Sequence, residues 1–394
     1  MNTKRLTQVC NITTGKLDAN AEVLDGRYPF FTCAPEPSRI DTFAFDDDAI
    51  LLAGNNAQGN FHIQRFKGKF NAYQRTYVIT AKDGYDIDYI KYSLELSLQH
   101  LKRIAQGSQT KFLTMQILDS FLIADIPYDE QIRLISSIRE ADNKISINNI
   151  ICLELEAMAK TLYDYWFTQF DFPNTEGKPY RSSGGEMVWN AQLKREIPKG
   201  WEAKRLSDIC TFRNGINYEK GCAGNRIYKI ANVRNITASS LLMDANDFDE
   251  ISLPSEQADR YAIKKNDIII ARSGTPGATR LILKPADNVI FCGFIICCTP
   301  ENSNHRMLLA HFLKQLEGTS ATKTGGSILQ NVSQDTLKSL CVAIPNDEVI
   351  NSFNEKLAPM IEMTQHAIDE NSELKKLRDW LLPMLMNGQA TVSD

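Results

Sequence analysis

Apolar residues recur with a helical period in two long stretches of this chain. The residues from Tyr128 to Phe172 include neither proline nor glycine. Apolar positions there alternate between four-residue and three-residue spacing, the pattern of a coiled-coil seam. The predicted seam positions are Ile151, Leu155, Met158, Leu162 and Tyr165. A helix over residues 129–167 would be roughly 55–60 Å long, because each residue adds about 1.5 Å.

The second stripe lies near the end of the chain. It begins with Ile350 and Phe353 and continues with the same spacing. The predicted seam positions are Leu357, Met360, Leu374, Leu377 and Leu381. Thr364 and Asn371 also fall on the seam, where a polar residue can fix the register at a cost in stability.

The chain also repeats itself. The segment KRLTQVCNITTG from Lys4 corresponds to KRLSDICTFRNG from Lys204, and AILLAGNNAQGN from Ala49 corresponds to DIIIARSGTPGA from Asp267. A further pair aligns Pro127 with Pro345, and each copy then runs into one of the long helical stripes. Matching segments in the same order along both halves predict a duplicated domain.

The sequence therefore predicts an α+β fold. It consists of two homologous mixed α/β domains related by a pseudo-twofold axis and joined by two long antiparallel coiled-coil helices. The alternative is that each helix packs on its own globular domain. The predicted boundaries are 1–128 for the first domain, 129–170 for the first helix, 171–200 for a connector, 201–345 for the second domain, 346–388 for the second helix and 389–394 for a tail.

Composition narrows the class of protein. The 394 residues carry a net charge of −4 and are 43% apolar, which is ordinary for a globular protein. No run of 18 apolar residues and no signal sequence is found, so we expect a cytoplasmic protein. The nine cysteines include no CxxC pair and the five histidines lack ligand spacing, so we expect reduced thiols and no metal site.

Catalytic motifs are missing. The glycine-lysine pairs that begin at Gly15, Gly68 and Gly177 are followed by Leu, Phe and Pro, so none completes a P-loop. No dinucleotide fingerprint, nucleophile elbow or methyltransferase loop is present. Three locally basic stretches remain, Gly59 to Lys82, Thr211 to Asn235 and Ile268 to Ala286. Basic residues can neutralise phosphates and polar ones can read base edges, so these stretches favour a nucleic-acid surface over an active site.

One stretch connects the first helix to the second domain. A helix ending in LYDYWF is followed by DFPNTEGKPYRSSGGEMVWN and then by REIPKGWEAKRLSDI. Together with the repeat and the terminal LKKLRDWLLPMLMNG, it resembles the specificity subunit of Type I restriction-modification systems over essentially the whole chain. The glycine-serine segment in it is interpreted as an ordered connector, since no P-loop spacing follows.

This resemblance implies a division of labour. In the family, each half is a target recognition domain that reads one half of a split double-stranded DNA sequence, and the helices set the unread gap. Two methyltransferase subunits and two motor-nuclease subunits complete the complex. The chain itself is then expected to be non-catalytic and to hold no cofactor. S-adenosylmethionine, ATP and Mg²⁺ are expected on the partner subunits.

Recognition domains vary strongly, so the base-reading residues are predicted from loops near the basic stretches. In the first domain they are Asn55, Asn56, Gln58, Asn60, His62, Arg65, Lys67, Gln109 and Lys111. In the second domain they are Arg213, Asn214, Tyr218, Lys220, Arg234, Arg272, Ser273, Thr275, Lys323 and Thr324.

Bulky residues near the helix ends and in the connector are candidates for partner contacts. They are Tyr163, Trp166, Phe167, Tyr180, Trp189, Trp380 and Leu382. Burial within the chain is the alternative for each. Two other functions stay open at this point: a coiled-coil scaffold whose globular halves bind protein, and an enzyme with an unrecognised site.

Overall fold

The structure is a computed structural model that describes residues 2–56, 61–104, 112–218, 224–317, 323–324, 327–328, 332–387 and 389. The chain forms two structural units. Unit 1 comprises Met1–Lys144 and Leu374–Asp394, and unit 2 comprises Ile145–Glu373.

Unit 1 contains a six-stranded sheet, a two-stranded ribbon and the start of a long helix. The sheet order is β2-β7-β5-β6-β3-β4, and β1 pairs with β8. The elements are β1 Thr3–Arg5, α1 Leu6–Val9, β2 Cys10–Thr14, β3 Tyr28–Phe31, β4 Ser38–Ile40, β5 Phe45–Ala53, β6 Ile63–Ala72, β7 Thr76–Ala81, α2 Ile87–Ile104, α3 Met115–Asp119, β8 Leu122–Ala124 and α4 Tyr128–Tyr163.

The core of unit 1 follows from alternation along its central strand. On β5, Ile50 and Leu52 belong to one buried cluster, whereas Ala49 and Leu51 belong to another. A strand that is apolar at successive positions must be covered on both faces, because its side chains alternate between them. The first cluster also takes side chains from α2, and the second is lined by the aromatic residues of β3 and β6.

Unit 2 contains a four-stranded and a three-stranded sheet together with small ribbons. The sheet orders are β12-β18-β15-β16 and β14-β13-β17. The elements are β9 Met187–Asn190, β10 Arg195–Pro198, β11 Glu202–Arg205, α5 Leu206–Ile209, β12 Cys210–Asn214, β13 Arg226–Ala231, α6 Val233–Ala238, β14 Asp249–Leu253, α7 Ser255–Ala258, β15 Ile268–Ala271, β16 Thr279–Arg280, β17 Val289–Phe291, β18 Ile295–Pro300, α8 Arg306–Gln315, β19 Lys323–Thr324, β20 Ser327–Ile328, α9 Gln334–Ser339, β21 Cys341–Ile344 and α10 Asp347–Met386.

The predicted repeat is visible in the local structure of both units. A short strand, a four-residue helix and a second strand open each copy, and the first strand pairs with β8 in unit 1 and with β21 in unit 2. Gly15 and Gly215 end this segment in the two copies. A Cβ at Gly15 would overlap the carbonyl of Ala72, and one at Gly215 would overlap the carbonyl of Cys292. The glycine recurs because the backbone passes too close to another strand for any side chain.

The two long helices pair antiparallel within each unit. In unit 2, the rings of Phe167 on α4's extension and Phe353 on α10 lie 4.7 Å apart, and farther along Asn148 bonds Asn371 at 3.0 Å. Residue numbers therefore rise on one helix as they fall on the other. In unit 1, Asp142 on α4 pairs with Arg378 on α10 at 3.0 Å, and Leu382 and Leu385 share a core with Ile135 and Ile138.

The predicted seam needs correction at three positions. Met158, Tyr165 and Leu377 are 52%, 37% and 47% exposed, whereas Ala159 and Tyr163 are buried. Ile151, Leu162, Met360, Leu374 and Leu381 are partly buried, and Leu155 and Leu357 are buried. The stripe shifts because small or polar side chains occupy seam positions that a search for large apolar residues passes over. Arg378, next to Leu377, is one of them.

A single turn of π-helix, Asp164–Thr168, ends the first long helix. Trp166 and Phe167 in this turn pack in an aromatic core with Trp201 and Phe353. The connector that follows is ordered: the buried Asp171 carboxylate accepts hydrogen bonds from the backbone N and the hydroxyl of Ser182, at 2.7 and 2.6 Å. The ring of Tyr180 stacks on Phe172 at 4.7 Å.

Candidate nucleic-acid interface

Four segments of unit 2 converge on one polar surface, which we call the loop cluster. It comprises residues 214–218 at the end of β12 and after it, residues 232–237 around the start of α6, residues 272–278 between β15 and β16, and residues 293–294 between β17 and β18. Arg272 donates to the Gly293 carbonyl at 3.5 Å, and the hydroxyls of Thr275 and Thr237 lie 2.9 Å apart. The Tyr218 hydroxyl donates to Asn232 at 3.3 Å.

Two glycines allow these segments to approach one another. A Cβ at Gly274, whose φ is +77°, would lie 2.8 Å from Cγ1 of Val233. A Cβ at Gly293 would overlap the side-chain oxygen of Asn217. The loops therefore meet because glycine stands where they touch, and a larger residue would push them apart.

The loop cluster presents hydrogen-bonding groups and one large ring to solvent. Asn214, Asn217 and Thr237 are exposed, and Phe294 is 63% exposed. Gln334 at the start of α9 adds its amide, which donates to Asn214 at 2.9 Å. Amides, hydroxyls and Arg272 can read the donor and acceptor pattern of base edges.

The structure brings together most of the described residues that the sequence predicted in the second domain. Asn214, Tyr218, Arg234, Arg272, Ser273 and Thr275 all lie in the loop cluster. Asn217, Thr237, Phe294 and Gln334 were missed. The signal for Phe294 is Gly293 before it, which marks a turn between two apolar runs.

Arg213 has a different environment from the rest of the set. It pairs with the buried Asp267 and donates to the carbonyls of Arg260 and Ala262 at 3.1 and 2.8 Å. Its guanidinium also lies 5.0 Å from the ring of Phe291. All these contacts lie within unit 2. Arg213 therefore stabilises the fold of the domain and is not available to read DNA. Arg234 pairs with Asp249 but keeps most of its side chain exposed.

In unit 1, the basic strand lies beside an acidic one. Lys67 and Lys69 on β6 stand opposite Asp48 and Asp46 on β5. Arg65 bonds Asp48 at 2.8 and 3.1 Å and Asp88 at 2.9 Å. The positive charge of this stretch is therefore partly compensated within the unit. This compensation could not be predicted from the sequence, because the register between strands is a tertiary feature.

The other described base-reading candidates of unit 1 lie near Gly54, where three segments of the chain meet. Gly54 donates to the Arg75 carbonyl at 2.8 Å, and its own carbonyl accepts from Leu113 at 2.9 Å. Asn55 forms a bridge with Phe112, and both Asn55 and Asn56 are partly buried. The His62 carbonyl accepts from Ala53 at 2.9 Å. These contacts place Asn55, Asn56 and His62 around one loop junction.

Several predicted residues lie outside the described part of the chain. They are Gln58, Asn60, Gln109, Lys111 and Lys220. Lys323 and Thr324 are described only as the backbone of β19.

The predicted partner residues divide by burial. Tyr163, Trp166, Phe167 and Leu382 are 2–7% exposed and pack inside their own units, so these four predictions need correction. These aromatic and leucine side chains, near the ends of the long helices, are part of the hydrophobic cores. Tyr180 is partly buried, while Trp189 and Trp380 are 65% and 60% exposed. An apolar strip on α4, formed by Ile147, Ile150 and Leu153, is also more than half exposed.

The described residues show no group of three or more His, Cys, Asp or Glu side chains that could hold a metal ion. Burial raises the pKa of the Cys10 and Cys297 thiols to about 12, which keeps them protonated and unreactive. Within the same residues, no helix has the length and apolarity needed to cross a membrane.

The model of one protein family matches two ranges of this chain. It is described as the Type I restriction modification DNA specificity domain, and it matches residues 1–157 and 198–370. The chain belongs to this family. It is a Type I restriction-modification specificity subunit with two recognition domains, which confirms the resemblance and the duplication predicted from the sequence.

Similar proteins are specificity subunits of Type I restriction enzymes. The specificity subunit of the MjaIX enzyme from Methanocaldococcus jannaschii is 27% identical over 338 residues, covering 80% of this chain and 72% of that protein. The HindI specificity subunit from Haemophilus influenzae is 24% identical over 352 residues, 74% of each chain. The EcoDI specificity subunit from Escherichia coli is 58% identical over 77 residues, but these span only 20% of this chain and 17% of that protein.

A solved structure shares the fold. The S subunit of a Type I restriction-modification system from M. genitalium superimposes with a TM-score of 0.54 at 15% identity, covering 98% of this chain and 95% of that one. The predicted fold of two recognition domains with long helices is confirmed. The scaffold alternative has no support, because the matched family is defined by DNA specificity.

Proposed function

We propose that each recognition domain reads one half of a bipartite double-stranded DNA target, and that the helix pair sets the unread gap between the halves. The loop cluster carries this proposal for the second domain. It presents amides, hydroxyls and Arg272 on glycine-dependent loops, the side-chain types that read base edges in the major groove. The junction around Gly54 is the corresponding candidate in the first domain.

We further propose that this chain supplies recognition while partner subunits supply chemistry. Two methyltransferase subunits would bring S-adenosylmethionine, and two motor-nuclease subunits would bring ATP and Mg²⁺. The exposed Trp189 and Trp380 and the apolar strip of Ile147, Ile150 and Leu153 are the described surfaces best suited to dock such partners, since each exposes large apolar groups.

A methylation map tests the proposal. The chain is co-expressed with its methyltransferase subunit in a host without other adenine methylation, and modified adenines are mapped across the genome. We expect one bipartite motif with a constant gap, and no such motif when this chain is omitted. Methylation that is independent of this chain, or that follows a single uninterrupted motif, would contradict the proposal.

A further inference from the structure

The helix pair of unit 2 contains a buried pair of amides. Asn148 on α4 is 2% exposed and Asn371 on α10 is 6% exposed. Nδ2 of Asn148 donates to the side-chain oxygen of Asn371 at 3.0 Å and to the carboxylate of Glu370 at 2.7 Å. Nδ2 of Asn371 donates to the side chain of Asn149 at 2.9 Å. We call Asn148, Asn149, Glu370 and Asn371 the amide layer.

The fully buried side chains next to the amide layer on the side of the aromatic core are small. Towards the aromatic core, the next buried positions on α10 are Ala367 and Thr364, and the Thr364 hydroxyl already donates to the Met360 carbonyl at 2.8 Å. On α4 the facing residue is Cys152, whose sulfur lies 3.9 Å from the Thr364 carbonyl. Small side chains of this kind fit several alignments, so they specify the register weakly.

The amide layer, by contrast, is compatible with only one register of α10 against α4. One turn along α4 from Asn148, the same face carries Ile145 and Cys152. Sliding α10 by a turn would place Asn371 beside one of these, where its buried amide would lose its partners. A buried polar group without a partner is costly, whereas apolar groups tolerate the slide.

The same place on α10 is tied to the second recognition domain. Ser372, the next residue, accepts a hydrogen bond from the Asn246 amide at 3.1 Å, and Asn246 accepts one from Lys229 of β13 at 2.8 Å. On α4, Glu156 accepts from the backbone N of Leu241 at 3.0 Å and pairs with Lys314 at 3.0 Å. Both helices are thus fastened to this domain by polar contacts, next to the amide layer on α10 and about two turns from it on α4.

We infer that the amide layer is a specificity element of this subunit: the pairing of Asn148 with Asn371 fixes the register of the helix pair and thereby the length of the unread gap in the DNA target. The inference rests on the proposed function. A slide of one helical turn is about 5.4 Å, which corresponds to between one and two base pairs at about 3.4 Å each. The expected error is therefore a gap wrong by one or two base pairs.

The test uses the assembled complex with its methyltransferase subunits. The substrates are DNA duplexes with constant half-sites whose gap varies from two base pairs shorter to two longer than the wild-type optimum. The variant Asn148→Leu/Asn371→Leu replaces the pair by apolar side chains of similar size. The control His366→Leu adds the same side chain at an exposed position of α10.

We expect the double variant to keep or raise the melting temperature, because two apolar residues replace a buried polar pair. Its methylation rate on the wrong gaps, relative to the optimal gap, should rise at least tenfold, while the control stays at the wild-type ratio. If the double variant does not assemble, the single variant Asn371→Leu tests the same idea, because it removes the pairing while Asn148 keeps its hydrogen bond to Glu370, and we expect a smaller rise of the same ratio.

An unchanged gap preference in an assembled variant would overturn the inference and leave the proposed function intact. Failure of the wild-type complex to prefer any gap would instead overturn the proposed function.

Discussion

Two arginines of unit 2 show why residue type alone cannot locate a DNA contact. Arg213 and Arg272 both follow apolar strand residues and both lie in locally basic stretches. The structure gives the Arg213 side chain a buried carboxylate and two carbonyls, whereas the Arg272 guanidinium bonds only the Gly293 carbonyl, at 3.5 Å, among the described residues. The difference depends on Asp267, which is close to Arg272 in sequence but pairs with Arg213, 54 residues away, so the local sequence does not indicate the pairing.

Replacing these arginines should separate folding from recognition. In Arg213→Met the buried Asp267 loses its ion-pair partner, so we expect the free energy of unfolding to fall by roughly 3–5 kcal/mol. In Arg272→Gln, the matched variant, we expect a change within about 0.5 kcal/mol, because no buried charge is left unpaired. Urea denaturation followed by circular dichroism measures both. Equal destabilisation by the two variants would refute the roles assigned here.

At the scale of elements, periodicity predicted the existence and direction of the long helices well and their seam less well. Leu155 and Leu357 are buried, as predicted for seam positions. Met158 is exposed, however, and the neighbouring Ala159 is buried in its place. Asn148, Ala159 and Arg378 fill the seam with small or polar groups that carry no apolar signal. Asn148 and Arg378 find partners on the facing helix, Asn371 and Asp142, so their fit is visible only in the paired structure.

The contact between His311 on α8 and Tyr163 on α4 makes the free energy of unfolding depend on pH. His311 on α8 stacks on Tyr163 of α4 with ring centroids 5.6 Å apart, and no partner is found for its Nε2 in the described residues. Burial lowers the pKa of His311 from 6.5 to about 4. Protonation therefore favours the unfolded chain, and the stability from a neutral His311 is complete above about pH 6.5 and is lost as the pH falls towards 4.

The variant His311→Phe should flatten this pH dependence. A phenyl ring can keep the stacking but cannot be protonated. We expect the wild-type free energy of unfolding to drop by roughly 3 kcal/mol more than that of the variant between pH 6.5 and 4, from about 1.4 kcal/mol per pKa unit. Urea titrations at several pH values give the comparison. Parallel curves for the two proteins would show that His311 does not contribute.

At the scale of the whole molecule, the duplication was the feature most accessible from sequence. The paired segments around Gly15 and Gly215 identify it, and the two matched family ranges confirm it. The surfaces proposed to read DNA were harder to predict from sequence. In unit 2 they depend on loops that converge through Gly274 and Gly293, and in unit 1 the basic strand meets an acidic neighbour. Both are consequences of tertiary contact, which local sequence does not encode.

The most direct test of the account asks whether one domain controls one half of the target. The wild-type complex and the Arg272→Gln complex each methylate a DNA library in which both half-sites are randomised around the wild-type gap, and the modified molecules are sequenced. We predict that Arg272→Gln relaxes base preference in a single half-site, by about 1–3 kcal/mol of discrimination at one base pair, and leaves the other half unchanged. Loss of discrimination in both halves together, or no change in either, would contradict the claim that each recognition domain reads its own half of the DNA.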